Sequence, residues 1–141
     1  MKVIIIDGQG GKMGKLLIER IKDAKIDCVI TAVGTNSIAT SVMLKAGADN
    51  GATGENAVVV ACRDADIIIG PVGIVVADSL LGEISPAMAV AVGQSKAKKL
   101  LIPVNLCNNM IVGTASLTLS KLIAEAVDSM KACVTESGTA Q

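Results

Sequence analysis

The sequence contains no phenylalanine, tyrosine, tryptophan or histidine. With no aromatic ring to stack on a base, the usual platform for single-stranded nucleic acid is missing. With no histidine, Ser-His-Asp and Cys-His catalytic sets and His-based metal sites are excluded. Any general acid or base must then be Asp, Glu, Lys or Cys. An excess of either charge is lacking too: 13 Lys and Arg balance 13 Asp and Glu. This leaves no electrostatic reason to expect a nucleic-acid or anionic-membrane partner. No apolar run approaches membrane-spanning length. The run after Lys2 stops at Asp7, which does not read as a signal peptide. The four cysteines, Cys28, Cys62, Cys107 and Cys133, show no C-x-x-C spacing, so a zinc or thioredoxin-like site has no support. Cys28 and Cys62 lie in apolar runs and read as small core residues. A reduced, cytoplasmic compartment follows.

What is present is apolar and rich in glycine. The 141 residues are 51% hydrophobic, a length suited to one domain with a real core. The apolar share implies a surface covered by a partner subunit.

The chain is organised around its start. Val3 to Ile6 is an unbroken β-branched run, the mark of a buried strand. Gly8, Gly10, Gly11 and Gly14 follow, and a helical pattern then carries Met13, Leu17, Ile21 and Ala24 on one face. Strand, glycine turn and helix open a dinucleotide-binding unit. Glycine lets the backbone turn sharply and approach a phosphate with no Cβ between. The phosphate then rests on free N–H groups at the helix N-terminus. G-x-G-x-x-G fits with one miss in either frame, whereas G-x-x-G-x-x-G fits at Gly8, Gly11 and Gly14. Gly8, Gln9, Gly10, Gly11, Lys12, Met13 and Gly14 are therefore the first candidate binding residues. Gly11 fits a glycine slot in both spacings, and a valine there is expected to abolish binding without unfolding the chain. With Lys12-Met13 before its last glycine, the loop resembles the nucleotide loop of dihydrodipicolinate reductase. The resemblance covers the first tenth of the chain and none of that enzyme's catalytic residues.

A second strand, 27–33, ends in Gly34-Thr35-Asn36-Ser37, where NAD-binding units place an acid for the ribose. No acid stands there. Gly34, Thr35 and Asn36 are candidate cofactor-binding residues; Thr35, Asn36 and Ser37 could hydrogen-bond a ribose or a 2′-phosphate, and Asn36 or Ser37 equally suits the cap of a helix 38–46. The cofactor expected is NAD or NADP, with no strong preference for NAD over NADP or with a preference for NADP. The glycine-rich stretch 47–54 reads as a helix C-cap and a short strand, ahead of a helix 55–62. The strand 65–69 should lie beside the first, which turns Gly70, Pro71, Val72 and Gly73 towards the same ligand. Segment 74–92 is mostly apolar, with Pro86 in a first helical turn after a Ser85 cap. Its run 87–92 is apolar all round, as in a helix buried in a core or against another subunit. A strand 100–104 leads to Asn105, a further candidate at a strand's C-terminal end. A short strand 110–112 and a terminal helix 119–133 complete the order, and 134–141 reads as a frayed tail.

The alternation predicts one α/β domain over 1–133, Rossmann-like and doubly wound, with a mainly parallel sheet and helices on both faces. Over nearly its full length the sequence resembles a family of short bacterial proteins of unknown function. The matching stretches include Ile-Asp-Gly-Gln-Gly-Gly at 6–11, Gly-Thr-Asn at 34–36, Met-Leu-Lys-Ala-Gly-Ala at 43–48, Gly-Ala-Thr-Gly-Glu-Asn at 51–56, Gly-Pro-Val-Gly-Ile at 70–74 and Leu-Ile-Pro-Val-Asn at 101–105. The resemblance implies a Rossmann-like fold and supplies no activity.

Three functions fit. The first is a nucleotide-binding module that senses or carries its ligand, for which the lack of a substrate domain and of His and Tyr speaks. The second is a homodimeric enzyme acting on a phosphorylated or carboxylated metabolite, drawing on Lys12, Asn36, Glu55, Asp78 and Asn105. Its loops bear a short similarity to methylglyoxal synthase-like phosphate sites. The third is a structural subunit whose glycine turns are only turns. A closed homodimer through 74–92 is expected, with no nucleic-acid or membrane partner.

Overall fold

A computed structural model describes residues 1–104 and 108–138. Five parallel strands form one sheet in the order β3-β2-β1-β4-β5. They are β1 (Lys2–Asp7), β2 (Val29–Gly34), β3 (Asn50–Thr53), β4 (Ile67–Pro71) and β5 (Lys98–Ile102). The helices are α1 (Lys12–Asp23), α2 (Ser37–Lys45), α3 (Glu55–Ala61), α4 (Pro86–Gln94) and α5 (Leu119–Gly138). This is the doubly wound α/β architecture that the alternation predicts.

Strand β1 is central and buried from Val3 to Asp7. Alternate side chains of a strand point to opposite faces, and both faces here are covered. Val3 and Ile5 join Leu17, Ile18 and Ile21 of α1, Met43 of α2 and Ile123, Val127 and Met130 of α5 in one core. Ile4 and Ile6 join Val58 of α3 and Met88 and Val92 of α4 in the other. A strand buried on both faces needs an unbroken apolar run, which is what residues 3–6 supply. The strand order reverses between β1 and β4, and a crevice opens outside the carboxyl ends of these two strands.

Several expectations need correction. Residues 110–112 form no strand, and Met110 and Val112 lie 86% and 91% exposed. Three apolar residues ahead of a left-handed Gly113 (φ 91°) are too few to extend the sheet. Helix α5 continues past Cys133 to Gly138. Between β4 and β5 there is one α-helix, preceded by a 3-10 turn (Val72–Val75) and a chain of tight turns. Non-glycine residues Asp78, Leu80 and Leu81 adopt left-handed φ of 63°, 54° and 55° there, which breaks any helix. Helix α4 is not buried all round within the chain, since Val90 is 52% exposed. Among the described residues no helix is long and apolar enough to cross a membrane.

Candidate functional site

The glycine loop lies at the switch point, at the mouth of a cavity of about 290 Å³. Asp7, the residues from Gly8 to Met13, Pro71, Leu80, Val104 and Leu119 line it. Of the residues expected from the sequence, Gly8 to Met13 and Pro71 meet here, whereas Gly14 does not line the cavity and a Cβ on it would collide with the Met43 side chain. Gly11 starts α1 at a φ of 70°, and its N–H bonds to the Gly8 carbonyl at 2.9 Å. A Cβ on Gly11 would lie 2.9 Å from the Ala39 Cα. Gly11 is thus required by backbone conformation and by the packing of α1 on α2, and a valine there disturbs the fold itself. Gly10 differs: a Cβ at this position meets nothing within 4 Å. Lys12 is exposed beside the loop.

Two carboxylates hold the loop, and the sequence reading missed both. Asp7, at the end of β1, accepts from the Gly8 N–H at 2.8 Å and from the Gly14 N–H at 2.7 Å. It ties the two ends of the loop together. Burial pushes its pKa up, the N–H donors of Gly14 and Gly8 pull it back, and the charge of Glu83 adds to the rise; the result lies above the ordinary 3.8. Glu83 reaches in from the turns before α4. Both its oxygens lie 3.1 Å from the Gln9 nitrogen, whose N–H they accept. Oε2 also accepts from the Thr35 hydroxyl and from Asn36 Nδ2 at 2.8 Å. Partial burial pushes the Glu83 carboxyl up, but these hydrogen bonds outweigh it and hold the group below its ordinary range.

Thr35 and Asn36 therefore lie next to the glycine loop and face a carboxylate of the same chain, and neither lines the cavity. Asn36 also caps α2 through the Ala39 N–H at 2.9 Å and donates to the Gln9 carbonyl at 2.9 Å. Gly34 and Gly70 stand apart from the cavity. A Cβ on Gly34 would collide with Thr40, and one on Gly70 with the Ile6 carbonyl, so both are glycine for packing. Val72 and Gly73 form the 3-10 turn, and the Gly73 carbonyl accepts from the buried Ser79 hydroxyl. Asn105 lies outside the described residues. Glu55 and Asp78 are exposed and do not line the cavity.

A family model matches residues 2–135. The chain belongs to the DUF3842 family, a domain of unknown function. No curated protein matches the sequence. Among solved structures it is similar to the crystal structure of a dodecameric FMN-dependent UbiX-like decarboxylase from Escherichia coli O157:H7. The two share 14% identity at a TM-score of 0.44, over 98% of this chain and 95% of that one. The expectation of NAD or NADP is overturned. The place at the end of β2 read as open to a ribose or 2′-phosphate is taken by the Glu83 carboxylate, which accepts from Thr35 and Asn36.

Proposed function

We propose that this chain is a binding or regulatory module that takes a small anionic ligand, a phosphorylated or carboxylated metabolite or mononucleotide, on its glycine loop. The observation that carries the reading is the seat of Glu83. A carboxylate rests on the Gln9 N–H with the Thr35 hydroxyl and the Asn36 amide around it. These donors, on the two loops that lead into the N-termini of α1 and α2, form a cradle for negative charge. The adjoining cavity supports a ligand with an apolar part, since Leu80, Val104 and Leu119 wall it. The lack of His and Tyr favours binding over catalysis.

Thermal shift tests this. Inorganic phosphate, pyrophosphate, FMN, mononucleotides and sugar phosphates are screened, and at least one should raise the melting temperature by mass action. Gly10→Val, whose side chain enters open space at the cavity, should fold normally and lose that shift. An equal shift in the variant would remove the glycine loop from the site.

Assembly belongs to the same proposal. Val60 on α3 and Val90 on α4 are 47% and 52% exposed on two helices that pack together. This face supports a closed homodimer.

A further inference from the structure

We infer that Glu83 is a tethered anion that occupies the cradle in the ligand-free protein and must leave before an external anion can bind. The inference rests on the anion-cradle reading and adds its regulation. Glu83 holds the Gln9 N–H, the Thr35 hydroxyl and the Asn36 amide, which come from the loop after β1 and the turn after β2. An incoming phosphate would need those same donors. With Glu83 in place it would also face two carboxylates, Asp7 and Glu83, with Lys12 as the cation within the loop.

The turns before α4 aim the side chain. Leu80, Leu81 and Gly82 all have left-handed φ, of 54°, 55° and 88°. This winding returns Glu83 over Gly8. A Cβ on Gly8 would lie 2.9 Å from Leu80 Cδ2 and 3.1 Å from Glu83 Oε2, so glycine there lets the segment close on the loop. The backbone around Glu83 is fixed by other bonds, including Asp78 N–H to the Ile84 carbonyl at 2.7 Å and Glu83 N–H to the Leu80 carbonyl at 3.1 Å. Rotation of the Glu83 side chain alone then frees the donors. The apparent affinity of any anion is reduced by the fraction of molecules with Glu83 rotated out.

The experiment is calorimetric titration of inorganic pyrophosphate into the wild-type chain, Glu83→Ala and Gly10→Val, with circular dichroism to confirm that each is folded. Glu83→Ala should bind at least tenfold more tightly than wild type, and Glu83→Gln, which keeps the shape without the charge, should fall between them. Equal or weaker binding by a folded Glu83→Ala would overturn the inference and make Glu83 a structural latch. If wild type and Glu83→Ala bind alike while Gly10→Val does not bind, the cradle stands and the tethered anion falls. If neither wild type nor Glu83→Ala binds, the cradle reading fails and takes this inference with it.

Discussion

Glycines that look alike in the sequence do different work at the level of the residue. Gly10 faces open space, whereas Gly70 packs its α-carbon against the Ile6 carbonyl of the neighbouring strand. A methyl group at Gly70 must push the backbone of β1, a central strand buried from Val3 to Asp7. Gly70→Ala should lower stability by about 2 kcal/mol, the usual scale of overpacking, while Gly10→Ala should be near neutral. Urea unfolding midpoints of the two variants check the contrast; equal midpoints would contradict the packing account. The sequence could not separate these roles, because a G-x-x-G spacing does not say on which side of the backbone a neighbour lies. Asp7 is the more instructive miss. It stands where a buried strand meets glycine, and an acid there was legible as a partner for loop N–H groups. Reading it only as the end of an apolar run hid that.

The elements were legible where local pattern and burial agree. The run from Val3 to Ile6, the glycines after it and the 3.6-residue face of α1 all point one way, and β1, loop and α1 form as expected. Ser85 with Pro86 predicts the start of α4, and its side chain caps the Met88 N–H. The turns between β4 and α4 were not legible. Their course depends on three non-glycine residues in left-handed conformation, and Glu83 meets Gln9 across 74 positions of sequence. No local signal spans that distance. Leu81 shows the strain most openly, with a φ of 55° and 85% of its surface exposed. It gains little from burial, and the left-handed conformation costs a non-glycine residue on the order of 1 kcal/mol. Asparagine tolerates that region better, so Leu81→Asn should raise stability by about 0.5 kcal/mol. A drop of that size or more in thermal denaturation would show that Leu81 is covered in solution.

For the whole molecule the fold places one crevice at the point where strand order reverses, and the glycine loop, the turn after β2 and the turns before α4 converge on it. The homodimer proposal is read at this scale. Because Val90 is half exposed within the chain, Val90→Asp should fold, and light scattering should give the mass of one chain where wild type gives two. A wild-type chain that is monomeric at micromolar concentration would remove the dimer. The central claim is that the glycine loop is an anion cradle held by a carboxylate of its own chain. Backbone amide NMR during titration with inorganic pyrophosphate tests it most directly. The account predicts the largest shifts at Gln9, Gly10, Lys12 and Met13, together with Thr35, Asn36 and Glu83 as that side chain is displaced. Shifts gathered at a distant surface, with the Gln9 and Glu83 amides unmoved at saturation, would contradict it.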